Sequence, residues 1–199
     1  MNANQNQVKI LLDQMLGRSI ETSLMVSANR AGLGNVMVLR ANAPRFIPDV
    51  LLMDDFRILR FTRRHGLLLV TCNTRDTHDR FPAIHQAYQR LGFEHPGILC
   101  CQQLAVDRTP YQVASCLVEW LRAGPQIYNQ CQHLRPVPTA SENTMPFRGT
   151  EKELAKIVQK VRIEEQQPYP TKDPLLQYTA RQWEDLTVAK RIREISEPQ

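Results

Sequence analysis

Three sets of acidic residues stand where chemistry could be done. Asp13 directly follows the apolar run Val8-Lys9-Ile10-Leu11-Leu12. Asp54 and Asp55 open a stretch with helical character, and Asn73, Asp76 and Asp79 follow the apolar run that ends at Thr71. Carboxylates gathered from separate loops repel one another unless a cation sits among them, and donors that are all oxygen suit Mg2+ or Mn2+. Two such ions can activate water and stabilise the leaving oxygen of a phosphodiester. The same residues have plainer uses. Asp54 or Asp55 can cap a helix, and Asp76 and Asp79 are at home in turns. Asp13 fits neither use, because a carboxylate placed directly after an apolar strand is partly desolvated.

The cations complement these acids. The chain has 199 residues, 25 Lys+Arg and 20 Asp+Glu, a net charge of +5. The excess is local: residues 1–135 hold 15 basic and 10 acidic residues, and residues 136–199 hold 10 of each. Of those first 15, only Lys9 is a lysine. Arginine's planar fork of donors matches phosphate and stacks on bases, which favours a polyanion such as RNA as partner. Arg57, Arg60 and Arg64 share one face of a helix by the three-and-four spacing. They form a candidate phosphate track, with a solvated helix face as the plain alternative. Arg75 and Arg80 flank the acidic loop and are candidates to grip backbone phosphates.

Other chemistries find less support. No GxxxxGK phosphate loop is present, which argues against an ATPase. The five cysteines contain no CxxC pair and are odd in number, so neither a zinc knuckle nor a disulfide framework is expected, and a reducing cytoplasm is the simplest setting. The five histidines show no HxxxH or HExxH spacing. Cys72 lies closest to the acidic residues, but no histidine is placed to activate it. No apolar run approaches the ~18–20 residues of a membrane helix, and the first residues, MNANQNQ, lack the succession of a signal peptide.

The elements that must position these groups alternate. Val8–Leu12, Asn35–Leu39, Leu67–Thr71 and Ile98–Cys101 read as short buried strands. Helices are expected over 16–31, over 49–65 or from Asp54/Asp55 onward, over 80–91, and from Tyr111 to about Arg122 with Thr109 as cap and Pro110 first. This pattern predicts an α/β domain over 1–123, three-layered, with a mostly parallel sheet. Residues 124–149, with Pro125, Pro136, Pro138 and Pro146, read as a linker. A helical extension over 150–199 follows, as two stretches with apolar stripes, 150–166 and 173–196. These must pack on the main domain, on each other or on a partner.

The order KILLDQML, DFRILRFTRRHGLLLVTCN, HPGILCC, TPYQVASCLVEWL resembles the PIN-like domain family, in its small bacterial uncharacterised branch, over roughly residues 8–123. The resemblance implies a metal-dependent endoribonuclease using Mg2+ or Mn2+. It also brings in the toxins of toxin–antitoxin pairs, which a protein partner holds inactive; a second copy of the chain is a further candidate partner. Carried over by motif, Asp13 matches the first acid, Asp55 the acid at the helix start and Thr71 the threonine. The family's Glu after the first Asp is Gln14 here, and its Asp two residues after the threonine is Asn73. Asn keeps an oxygen donor but loses a charge, and Asp76 or Asp79 would have to supply it. On this reading Asp13, Asp55, Thr71 and Asn73 are catalytic, and Asp13, Asp55, Asp76 and Asp79 hold metal. Arg57, Arg60, Arg64, Arg75 and Arg80 hold RNA. The alternative is a degenerate module that binds RNA or protein without cutting.

Overall fold

The computed structural model describes residues 8–13, 16–41, 54–72, 80–101, 109–124, 126–134, 145–169 and 174–196. Five strands form one parallel sheet: β1 (Lys9–Leu12), β2 (Met37–Arg40), β3 (Leu68–Thr71), β4 (Ile98–Cys100) and β5 (Cys131–His133). Their order across the sheet is β2-β1-β3-β4-β5. Strands β1 to β4 are short, mainly apolar runs, because both faces of a parallel sheet are covered. Ile10, Leu12, Val38, Leu68, Val70 and Leu99 belong to one core. Leu11, Met37, Leu39, Leu69, Ile98 and Cys131 belong to the other. That alternation gives the three-layer α/β architecture expected from the sequence.

Helices α1 (Arg18–Arg30) and α4 (Pro110–Arg122) cover the first face. The second face carries α2 (Asp55–His65), α3 (Arg80–Leu91) and α5 (Glu151–Gln166). The helix ends follow their capping residues. Asp54 is the N-cap of α2, its side chain accepting from the Arg57 N–H, and left-handed Gly66 (φ 65°) closes the helix. Asp54 is thus the cap of the two acids considered; residues 49–53 lie outside the described residues. Thr109 with Gln112, and Thr150 with Glu153, form reciprocal capping boxes at the starts of α4 and α5. Gly97 (φ 126°) must be glycine, because a Cβ there would sit 2.8 Å from the Ile127 carbonyl oxygen.

Two expectations are corrected. Residues 124–149 are not simply a linker: they supply β5, whose Cys131 pairs with Ile98, and the buried Leu134 and Met145. Three residues reading Cys-Gln-His are too short to show a period among four prolines. The stretch 173–196 is not one helix. It comprises a 3-10 turn (Pro174–Gln177), α6 (Ala180–Asp185) and α7 (Val188–Ser196).

The C-terminal elements pack on the body of the domain. Leu154 and Val161 of α5 join the second core, each burial contributing about 1.5–3 kcal/mol. At the other sheet edge Thr187 bridges Met37, and the Val188 N–H donates to the Val36 carbonyl at 2.8 Å. Arg191 donates to Glu21 at 2.7 Å, and Glu21 also accepts from Arg40 at 3.1 Å. No helix among the described residues is long and apolar enough to cross a membrane.

Candidate functional site

The connections set the location. From β1 the chain moves to β2 on one side, then returns to β3 on the other. In an open parallel sheet the crevice at the carboxyl ends of the two strands flanking such a reversal is the usual ligand site. Here those strands are β1, which Asp13 directly follows, and β3, which ends at Thr71.

These two residues meet. The Thr71 hydroxyl donates to Asp13 Oδ2 at 2.7 Å, and the Asp13 N–H donates to the Val70 carbonyl at 2.9 Å. Asp13 is 1% exposed and Thr71 is fully buried. A buried carboxylate is costly unless it is held by hydrogen bonds or a cation. The hydroxyl supplies one such bond and turns the carboxylate to face the end of β3.

Cys72 and Cys101 complete this edge. They follow the last residues of β3 and β4, and their sulfurs lie 3.2 Å apart. The Cys101 thiol donates to the Thr71 carbonyl at 3.3 Å. The hydrogen bond with Cys101 draws the Cys72 thiol below its ordinary pKa, against burial and the Asp13 charge. Cys101 moves the other way, raised by its contact with Cys72 and by burial. The sequence held a signal for this pair: each cysteine comes one residue after a strand end, on strands that prove to be neighbours.

Asp55 takes a different partner. As the first residue of α2 it pairs with Arg80 Nε at 3.0 Å, tying the start of α2 to the start of α3. Arg80 also lies 5.5 Å from the Phe56 ring. Gln14, Asn73, Arg75, Asp76 and Asp79 lie outside the described residues. Among the described residues, no three His, Cys, Asp or Glu side chains come together as a metal site. Oxygen donors of the type Mg2+ takes are present in Asp13 and Thr71. Within the described residues, however, the set is too small to hold the ion.

The arginine face of α2 is engaged in part by α5: Arg60 is buried against it, while Arg57 and Arg64 stay exposed. Arg57 and Arg60 reach Glu164 at 3.5 and 3.3 Å, and Arg63 reaches Glu165 at 2.8 Å. Arg60 also donates to the Gln167 carbonyl. Arg64 lies over the Tyr169 ring at 4.2 Å. The Tyr88 hydroxyl donates to Glu165 at 2.6 Å, and burial together with that carboxylate pushes its pKa up. Glu164 and Glu165 sit in the last third of the chain, residues 136–199, which has zero net charge, and nothing in the sequence pairs them with residues a hundred positions earlier.

A second polar pair is buried under α3. The Gly97 N–H donates to His95 Nδ1 at 3.2 Å, which places the His95 proton on Nε2, 2.8 Å from His85 Nδ1. Both rings are then neutral. Burial, with His85 beside it, lowers His95 to about 3; burial lowers His85 as well.

No protein-family model matches the chain, and no curated protein or solved structure matches it.

Proposed function

We propose that the carboxyl edge between β1 and β3 is a phosphodiester-hydrolysing site of PIN-like type acting on RNA. The observation that carries this reading is the buried Asp13 carboxylate, oriented by Thr71 at the reversal point of the sheet. Its place agrees with that of the first acid in the resembling family, and an order of strands that reverses beside it leaves a crevice there. A divalent cation would supply a polarised water and charge neutralisation at the scissile phosphate. Asp13 would be one of its ligands. The acids of 73–79 would have to complete the set, since Asp55 is engaged by Arg80. Thr71 is a positioning residue that fixes the Asp13 rotamer. Single-stranded RNA incubated with the protein and Mn2+ should be cut, and Asp13→Asn should abolish cutting while leaving the far-ultraviolet spectrum unchanged. Undiminished cleavage by that variant would overturn the assignment.

A non-catalytic RNA- or protein-binding module is the second reading. It is favoured by the Asp55–Arg80 ion pair and by the uncharged Gln14 and Asn73 at positions where the family carries acids. It requires RNA affinity without cleavage under any divalent cation, and affinity that survives Asp13→Asn.

A further inference from the structure

We propose that Cys72 and Cys101 form a reversible disulfide, a redox-modifiable site set against the Asp13–Thr71 pair. The backbone already meets the requirement. Thr71 and Cys100 are register partners on β3 and β4, and the Cys101 N–H donates to the Thr71 carbonyl at 2.8 Å. Cys72 and Cys101 are therefore cross-strand neighbours at the next position. Adjacent strands lie about 4.8 Å apart, inside the ~4.4–6.8 Å Cα separation that a disulfide spans. The sulfurs, at 3.2 Å, stand on the same side of the sheet and need to close by little more than an ångström.

Access distinguishes this pair. Cys72 is half-buried, whereas Cys100, Cys101, Cys116 and Cys131 are all buried. Cys100 and Cys131 also contact one another, but both are 1% exposed or less, so no oxidant reaches either sulfur. The chemistry needs a small disulfide such as oxidised glutathione. The Cys72 sulfur attacks one glutathione sulfur, that S–S bond breaks, and the first glutathione thiolate leaves. Cys101 then attacks Cys72 sulfur, forms the intramolecular bond and expels the second. Two cysteines lose two electrons in all, one glutathione disulfide gains them, and the two thiol protons end on the two glutathiones. Closure takes the proton that Cys101 now donates to the Thr71 carbonyl and draws the residue next to Thr71 toward β4. The proposal holds whether or not this edge cuts RNA.

The test uses the full reduced chain in buffers of falling reduced-to-oxidised glutathione ratio, with free thiols then alkylated and the protein digested with trypsin. Cleavage at Arg75 and Arg90 puts the two cysteines on separate peptides. The expected result is a fall from five alkylated thiols to three, one cross-linked peptide pair, and full reversal by dithiothreitol. Cys100→Ser and Cys116→Ser should keep the cross-link, and Cys72→Ser and Cys101→Ser should lose it. A glutathione adduct that persists on Cys72 while Cys101 stays alkylated would overturn the proposal. So would a cross-link that survives Cys101→Ser.

Discussion

The carboxyl edge and the seam between α2 and α5 are both rich in polar side chains, and they are built on opposite plans. At the edge a single carboxylate is buried against a hydroxyl and two thiols, with one charged group among four. Along the seam three arginines face two glutamates, so most of that positive charge is met within the chain. The count of arginines in the sequence pointed at the seam as the place for a polyanion. The fold instead pairs Arg57, Arg60 and Arg63 with carboxylates of α5, while the edge holds its one carboxylate against the Thr71 hydroxyl. Net charge per region locates cations, but pairing decides which of them are available.

The contrast can be broken or sharpened by measurement. The largest effect is expected at the edge. Thr71→Val removes the bond that orients Asp13, and RNA cleavage should fall about 10–100-fold, the usual cost of losing a group that orients a metal-binding or reacting residue. A cleavage assay in Mn2+ with wild-type thermal stability as control decides it. On the seam, Glu165→Ala leaves Arg63 and the Tyr88 hydroxyl without their carboxylate. Urea unfolding should show a loss of about 1–3 kcal/mol, while any RNA affinity stays the same or rises. A fall in affinity would restore the seam arginines as RNA contacts.

The histidine pair gives a pH signature separate from both regions. His95 has a folded pKa of about 3 against ~6.5 unfolded, so the unfolded chain binds the extra proton between those values. Stability is therefore complete above pH 6.5 and is lost as pH falls. From pH 6.5 to 5, above the ordinary carboxylate range, the loss should be about 2 kcal/mol from this residue alone. His85, lowered as well, adds to it in the same direction. Urea midpoints at those two pH values measure it, and His95→Gln should flatten the dependence. The smallest effect belongs to the exposed Arg90–Glu151 pair, where Arg90→Gln should not move the melting temperature measurably.

Much of the architecture was legible because it rests on local rules. Leu67–Thr71 is a continuous apolar run and is a central strand; Thr109-Pro110 and Gly66 mark helix ends by their own conformational preferences. Asp13 could be singled out since a charged residue after Leu11-Leu12 has few ways to reach water. What stayed hidden depends on long-range pairing. The Glu164–Arg60 contact joins residues 104 positions apart, and the His85–His95 bond exists only because a helix and a strand entry meet across a turn. Strand β5 escaped because three polar-looking residues gain their burial from β4, not from their own pattern.

The docking of residues 187–191 on β2 bears on how the chain is made. β2 is an edge strand, with one flank on β1 and the other open to pairing with another molecule. Thr187 bridges that flank at Met37, Val188 bonds to Val36, and Arg191 reaches across to Glu21. During synthesis β2 emerges some 150 residues before its cover, so the nascent chain carries an uncovered edge through most of translation. A ribosome stalled or a message truncated before residue 187 would release a chain whose sheet is complete and whose edge is bare, a species suited to edge-to-edge aggregation.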